Sequence, residues 1–235
     1  MLLIVKDVLA IVFIIILSIT STLFVTLVIY VLKLIKINTK LKAKQFGKFN
    51  TFSNKKQIVF LGDSLTDFYQ IEEFFHDYKV YNRGIASDTT KGVLDRLEDN
   101  VISIQPRKVF LQIGTNDYIR RNNDYIFTNI IEIVNRLKNS IEDVKVYIIS
   151  LYPVNHKAKV YSLFFTTVRN NKTIRALNER LKEYCENNNL SYIDVHSHLV
   201  DSKGNLEKKY TVEGLHINYE GYDVITKVLL PYVRE

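Results

Sequence analysis

A run of 25 residues without a charge, Val8 to Leu32, lies near the N-terminus of this 235-residue chain. The run consists mainly of Ile, Leu, Val and Phe and has no polar face, and so continuous a run disfavours the alternative of a buried helix in a soluble domain. As a helix it would exceed the roughly 30 Å hydrocarbon core of a bilayer. A cleavable signal peptide usually has a shorter apolar core, of about 7 to 15 residues. The sequence therefore predicts one retained membrane anchor over residues 1–36, with a cleaved signal peptide as the alternative.

The net charge of +7 is concentrated in the N-terminal part of the chain. Residues 1–57 contain nine lysines and one acid, Asp7, whereas residues 58–235 contain 23 basic and 24 acidic side chains. A nearly neutral C-terminal part gives no basis for a nucleic-acid-binding surface. We therefore predict no nucleic-acid partner.

Six lysines between Lys33 and Lys48 follow the apolar run, whereas only Lys6 precedes it. By the positive-inside rule, this bias favours a cytoplasmic domain. The same lysines could instead lie against anionic lipid, so the side of the membrane stays open. The polar, lysine-rich residues 37–56 are predicted to be a linker, and residues 57–235 to be one globular domain.

Short runs rich in β-branched residues alternate with segments of helical spacing throughout residues 57–235. The predicted strands are Ile58–Leu61, Val80–Tyr81, Val109–Ile113, Val144–Ile149 and Tyr192–Val195. The predicted helices are Thr90–Val101, Tyr125–Lys138, Lys172–Glu186 and Tyr219–Val233. This alternation predicts an α/β fold with a five-stranded parallel sheet covered on both faces. Such sheets bind ligands at the carboxyl ends of their strands.

Three residues could form a hydrolytic triad. Ser64 follows the first strand on a glycine-containing turn, a suitable place for a nucleophile, although it could equally be the N-cap of the next helix. Glu213 lies three residues before His216. A serine nucleophile needs a base, and the base needs a partner that fixes its tautomer, so Ser64, His216 and Glu213 could act together. A single histidine is otherwise more often structural.

Two further residues could stabilise a developing oxyanion. Gly84 lies just after the second strand and could direct its N–H into a cleft, or simply serve as a turn residue. Asn116 follows the third strand, and its side-chain amide could donate to an oxyanion or form an Asx turn.

Four sequence blocks resemble those of the SGNH, or GDSL, hydrolases, in the same order and with similar spacing. The blocks are GDSLT at 62–66, NRGIASDTT at 82–90, GTND at 114–117 and EGLHIN at 213–218. The similarity covers nearly all of residues 57–235. It is greatest to the bacterial platelet-activating-factor acetylhydrolase-like and lysophospholipase-like members.

The resemblance implies a flavodoxin-like three-layer sandwich with Ser64 as nucleophile and His216 as general base. It also implies an oxyanion hole formed by the Ser64 and Gly84 backbone N–H groups and the Asn116 side chain. The family pattern has Asp where this chain has Glu213, and we expect Glu213 to orient His216 nevertheless.

Together these features predict a membrane-anchored serine esterase. Its substrate would be a small acyl ester, an acylated carbohydrate or a lysophospholipid-like ester. The alternatives are an acyltransferase that moves the acyl group to a sugar hydroxyl, and a catalytically silent tethered binding module.

Three other features bear on function. Asp194, His196 and His198 could suggest a metal site, but a solvated turn at a strand end is the preferred interpretation. Cys185 is the only cysteine, which excludes a disulfide framework and multi-cysteine zinc sites. No metal and no cofactor are predicted. The aromatic residues 152–170 could cover the acyl group, touch a membrane or form a small core under a loop.

Overall fold

The computed structural model describes residues 2–235; Met1, the first residue of the predicted anchor, lies outside the described residues. The chain divides into two compact units, one ending at Leu41 and one comprising Lys42–Glu235. Helix α1 spans Leu2–Phe49 and begins in the first unit.

The first unit consists of the apolar part of α1. An 18-residue window within Ile11–Phe52 has a mean hydropathy of 2.7, and none of that window is buried. By length and composition this helix could cross a membrane, a property that a signal sequence near an N-terminus shares.

The predicted linker over residues 37–56 is largely helical, which differs from expectation. Helix α1 continues to Phe49, and a 3-10 turn, Asn50–Phe52, follows. Lys, Leu, Ala and Gln, which fill this stretch, are strong helix formers. Within the second unit, Phe46 is buried and the Ala43 carbonyl accepts a bond from Asn100 Nδ2 at 2.9 Å. Polarity and one glycine suggested a linker, but helix propensity and these contacts favour helix.

The second unit is built on a five-stranded parallel sheet with the strand order β2-β1-β3-β4-β5. The strands are β1 (Ile58–Gly62), β2 (Val80–Gly84), β3 (Lys108–Gln112), β4 (Lys145–Ile149) and β5 (Ser191–Ile193). The five predicted strands are confirmed, with ends that differ by no more than three residues. Because the order reverses at β1, the loops after β1, β2 and β3 meet at one edge of the sheet.

Helices connect the strands and cover both faces of the sheet. They are α2 (Ser64–Asp67), α3 (Ile71–Phe74), α4 (Thr90–Asn100), α5 (Asn123–Ser140), α6 (Leu163–Thr166), α7 (Asn171–Asn187), α8 (His196–Leu199) and α9 (Tyr219–Arg234). The four long helices were predicted, whereas the four-residue helices α2, α3, α6 and α8 are too short for a periodic pattern to reveal.

Alternate strand residues enter two separate hydrophobic cores. In β1, Val59 and Leu61 pack in the core beneath α4, α5 and α7, whereas Ile58 and Phe60 pack in the core beneath α3 and α9. The strands are buried on both faces, as parallel strands in a three-layer sandwich must be. The flavodoxin-like architecture expected from the sequence is therefore confirmed.

Candidate active site

Ser64 is the first residue of α2, directly after β1. The N-cap is the preceding Asp63, whose Oδ1 accepts a bond of 2.9 Å from the Leu65 N–H. The alternative in which Ser64 itself caps the helix is therefore wrong. Because Asp63 caps the helix, the Ser64 hydroxyl is available to bond another partner.

Glu213 and His216 face each other because the chain between them turns tightly. The turn is closed by Thr211, whose Oγ1 donates to the His216 carbonyl at 2.7 Å and accepts from the Gly214 N–H at 2.8 Å. Gly214 has φ +101°, and a Cβ there would lie 2.1 Å from the Asn155 carbonyl oxygen. Only glycine fits such a position without displacing the backbone.

The three predicted triad residues come together at the carboxyl end of β1. His216 Nε2 lies 3.1 Å from Ser64 Oγ, and His216 Nδ1 is hydrogen bonded to Glu213 Oε1. The His216 backbone N–H also donates to Glu213 Oε1, at 3.2 Å. Glu213 is 3% exposed and the His216 side chain 23% exposed. Despite its additional methylene, the glutamate reaches the histidine.

Gly84, the predicted oxyanion donor, already has an acceptor for its N–H. The Gly84 N–H donates to Asn82 Oδ1 at 2.8 Å, which corrects the expectation that it is free. A Cβ at position 84 would lie 2.2 Å from the Asp67 backbone nitrogen. The glycine is therefore required for the close packing of β2 against α2, which explains its presence without an oxyanion role.

The loop after β2 offers a different donor, the Ser87 N–H. The N–H groups of the neighbouring residues are bonded to the chain: Ile85 to Gly62 O, Ala86 to Asp67 Oδ2 and Asp88 to Ile85 O. In the part of the chain that the structure describes, the Ser87 N–H has no acceptor. Ser87 has φ +66°, a conformation that is uncommon outside glycine. Such outliers cluster at functional sites.

The Asn116 amide is oriented by partners on both of its polar atoms. Its Nδ2 donates to the Asp88 carbonyl at 2.9 Å, and its Oδ1 accepts from Arg169 Nη2 at 2.9 Å. Arg169 is 6% exposed and also donates from Nε to the Thr115 carbonyl at 3.0 Å. Nδ2 retains a second hydrogen that is available to an oxyanion. No sequence pattern indicates this role for Arg169.

Buried polar contacts hold the loop that contains Ser87 and Asp88, to whose carbonyl Asn116 donates. Asp88 forms an ion pair of 2.7 Å with Arg96, whose Nη2 also donates to the Gly62 and Arg83 carbonyls. Burial raises the pKa of Asp88, and the neighbouring Arg96 opposes that rise.

The aspartate after Asn116 holds the same region in place. Asp117 accepts from the Thr90 N–H at 3.0 Å and from the Thr90 hydroxyl at 2.6 Å. Asp63 and Asp117 thus each accept a hydrogen bond from a backbone N–H, that of Leu65 and that of Thr90. These contacts fix the relative positions of the loops after β1, β2 and β3, so the groups at their ends are preorganised.

Asp63 lies in an unusual electrostatic environment beside the nucleophile. Burial raises its pKa from 3.8 to about 7, and the nearby Asp88 adds to that rise. The Leu65 N–H, Arg169 and His216 oppose it. Its second carboxylate oxygen, Oδ2, is buried and has no hydrogen-bond partner among the described residues.

Two aromatic rings lie beside the histidine. The ring centroids of Phe68 and His216 are 5.3 Å apart, and those of Phe165 and His216 are 6.2 Å apart. Phe165 belongs to the aromatic segment 152–170, and Arg169 Nη1 donates to its carbonyl at 2.5 Å. Residues 152–170 therefore contact the site at two points. Phe165 lies beside the His216 ring, and Arg169 binds the Asn116 side chain.

The Asp194, His196 and His198 string has local structural contacts. Asp194 Oδ1 accepts from the Ser197 N–H at 3.1 Å, and His196 is buried, its backbone N–H donating to Ser150 Oγ at 2.8 Å. No group of three His, Cys, Asp or Glu side chains that could hold a metal is found among the described residues.

One protein-family model matches most of this chain. The model of the GDSL-like Lipase/Acylhydrolase family matches residues 60–224. This chain belongs to the GDSL-like lipase/acylhydrolase family. The four sequence blocks thus predict the family correctly.

The relatives of this chain include a cytidylyltransferase, which it matches only in part, and an acetylhydrolase subunit. The N-acylneuraminate cytidylyltransferase of Escherichia coli O18:K1:H7 is 29% identical over 201 residues, which are 80% of this chain and 42% of that protein. The human platelet-activating factor acetylhydrolase IB subunit alpha2 is 26% identical, with 73% of each chain covered. This GDSL-family chain thus spans about two fifths of the cytidylyltransferases it matches.

A solved structure from Streptococcus pneumonia, described as that of a platelet activating factor, has the same fold as this GDSL-family chain. Its TM-score is 0.82 at 25% identity, with 88% of this chain and 97% of that chain covered.

Proposed function

We propose that this chain is a membrane-anchored serine esterase that hydrolyses acyl esters through an acyl-enzyme on Ser64. The observation that carries the proposal is the contact of Ser64 Oγ with His216 Nε2, at 3.1 Å, while Glu213 bonds Nδ1 of the same ring. This is the nucleophile, base and orienting group that acyl transfer to a serine requires.

In the first half-reaction, the Ser64 oxygen attacks the ester carbonyl carbon while His216 Nε2 accepts the hydroxyl proton. Glu213 keeps the Nδ1–H tautomer in place and stabilises the imidazolium that forms. When the tetrahedral intermediate collapses, the carbon–oxygen bond to the alcohol breaks. His216 then returns the proton to the departing alkoxide, which leaves an acyl group on Ser64.

Three donors would stabilise the oxyanion of that intermediate: the Ser64 N–H, the Ser87 N–H and Asn116 Nδ2. Ser87 replaces Gly84 in this proposal because the Gly84 N–H is bonded to Asn82. Donors held in place before the reaction stabilise developing charge without a reorganisation cost. The contacts of Asn116 with Arg169 and Asp88 provide that rigidity.

In the second half-reaction, water replaces the alcohol. His216 accepts a proton from the attacking water, the second oxyanion occupies the same donors, and the acid leaves as Ser64 recovers its proton. His216 carries every proton transfer, so the proposed reaction calls for no cofactor.

The substrate class is proposed to be a small acyl ester, an acylated carbohydrate or a lysophospholipid-like ester. The rings of Phe68 and Phe165 beside His216 offer apolar contact to an acyl group or to the body of an alcohol. This contact supports a substrate with an apolar part close to the scissile bond.

The anchor is proposed from the composition of α1. Its apolar residues would hold the chain in a bilayer, and the lysine bias favours a cytoplasmic domain. We expect the full chain to stay in the membrane pellet after alkaline carbonate extraction. Release into the supernatant would contradict anchoring without affecting the proposed chemistry.

The chemistry is tested by hydrolysis of p-nitrophenyl acetate by the full chain in detergent micelles. We expect Ser64→Ala and His216→Ala to abolish turnover, and Ser197→Ala, an exposed serine, to leave it unchanged. Ester consumption that depends on a carbohydrate acceptor and yields an acylated sugar would instead indicate an acyltransferase. Background rates in wild type and Ser64→Ala alike would favour a silent binding module.

A further inference from the structure

The segment around α6 has its polar side chains inside and its apolar side chains outside. Ser162 and Thr166 are 0% exposed, whereas Phe164 is 90% exposed and Val160 is fully exposed. Ser162 Oγ accepts from the Lys159 N–H at 2.7 Å. Internal hydrogen bonds therefore hold the polar side of the segment toward the domain, and the apolar side is left to the surroundings.

This exposed apolar surface continues to the active site. Tyr161, Leu163 and Val168 are each about half exposed, and Phe165 is 40% exposed while it contacts the His216 ring. Phe68, on the other side of His216, is 50% exposed. A small core under a loop would bury these residues, so that interpretation of residues 152–170 does not describe residues 160–168. Contiguous apolar surface of this kind marks an interaction site.

The charged side chains in the sequence around α6 have one sign. Lys157 and Lys159 are exposed and lie within three residues of Val160, and no acidic residue occurs in residues 144–178. Lysines next to exposed aromatic and aliphatic side chains are typical of surfaces that bind the interface of an anionic bilayer. A protein partner would need both an apolar patch and acids, whereas anionic lipid supplies phosphate and acyl chains together.

We propose that residues 157–168 form a membrane contact in addition to the anchor. Val160 and Phe164 insert at the level of the lipid headgroups, and Lys157 and Lys159 pair with lipid phosphates. The contact adjoins His216, so an ester held in the bilayer can reach the site without leaving the lipid phase. The inference does not rest on the chemistry of Ser64, because binding of this surface to lipid needs no turnover.

The test uses the absence of tryptophan from the chain. Phe164→Trp places one fluorophore in the proposed contact, in the full chain reconstituted into vesicles of phosphatidylcholine and phosphatidylglycerol. We expect a blue-shifted emission and a loss of fluorescence when the lipids carry brominated acyl chains. Phe24→Trp, within α1, reports insertion of the anchor separately.

The matched control is His76→Trp. The His76 side chain is 76% exposed and precedes β2, at the sheet edge opposite the active site. We expect its emission to stay red-shifted and unquenched. An unquenched Phe164→Trp would overturn the membrane contact whether or not Phe24→Trp is quenched. A blue shift without quenching would also overturn it and would indicate a protein occupant, such as a second copy of the chain.

The ionic part is tested by charge reversal. In the Phe164→Trp background, Lys157→Glu with Lys159→Glu should lose quenching in vesicles that contain phosphatidylglycerol. Reversal of two exposed lysines at the opposite edge, Lys79→Glu with Lys138→Glu, should retain it. Equal quenching in the two double variants would overturn the assignment of the lysines to lipid phosphate.

Discussion

Arg169 Nη2 donates a hydrogen bond of 2.9 Å to Oδ1 of Asn116. The bond fixes which end of the amide faces the arginine, so Nδ2 is held toward the active site. Because Arg169 would act through Asn116 and not on the substrate, we assign it a positioning role in the oxyanion hole. The arginine lies 53 residues away in sequence.

Arg169→Gln should lower kcat by about ten- to a hundredfold and leave KM nearly unchanged, less than the loss expected when an oxyanion donor is removed outright. The reason is that the Asn116 amide would lose its fixed orientation, which matters mainly in the transition state. Steady-state kinetics with p-nitrophenyl acetate measure the two constants. Arg175→Gln, at an exposed position on α7, is the control and should behave as wild type. A change confined to KM would contradict the positioning role.

Glu213→Gln should reduce kcat by about a hundredfold or more, as expected for loss of the carboxylate that orients a catalytic histidine. Glu213→Asp should also reduce it, because the carboxylate would retreat from His216 Nδ1 by about one carbon–carbon bond, ~1.5 Å. The folded state is checked by far-ultraviolet circular dichroism. Unchanged turnover in Glu213→Gln would show that another group, such as a backbone carbonyl, orients His216.

A phosphonate adduct on Ser64 should place its anionic oxygen about 3 Å from the Ser87 nitrogen and from Asn116 Nδ2, as expected of oxyanion donors. The Gly84 nitrogen should keep its bond to Asn82. A crystal structure of the adduct measures these distances directly. An oxygen bonded to the Gly84 nitrogen, with Asn82 displaced, would restore Gly84 as the donor.

The stability of the folded chain should depend on pH through Asp63. Its pKa is 3.8 when exposed and about 7 when buried in the folded state. Between these values the folded chain keeps a proton that the unfolded chain releases, so the free energy of unfolding falls as pH rises. Asp63→Asn cannot ionise and retains an N-cap acceptor. We expect urea unfolding midpoints at about pH 5 and about pH 8 to differ more in wild type than in Asp63→Asn. Equal differences would contradict the raised pKa.

The fold was largely predictable because its determinants are periodic. β-branched runs and amphipathic spacing indicate the five strands and four long helices. The stretch from Ile37 to Phe49 was misinterpreted as a linker because its lysines suggested solvent exposure. The contacts that favour helix there, such as Ala43 with Asn100, join residues 57 positions apart. No local pattern reports them.

The side chains of the candidate site could be predicted from the sequence better than its backbone N–H donors. Ser64, His216 and Glu213 were predicted as a triad from residue type and order, and the structure brings the three side chains into contact. The donor after β2 was assigned to Gly84, since glycine suggests an accessible N–H. The hydrogen bond from that N–H to Asn82, the positive φ of Ser87 and the reach of Arg169 to Asn116 depend on the folded loops. Neither residue type nor spacing predicts them.

The central claim is that Ser64 is the nucleophile. Its most direct test is reaction of the full chain with a fluorophosphonate, followed by peptide mass spectrometry. We expect the adduct on Ser64 in wild type, slower labelling in His216→Ala, and no labelling in Ser64→Ala. An adduct on another serine, or equal labelling of wild type and Ser64→Ala, would contradict the assignment of Ser64.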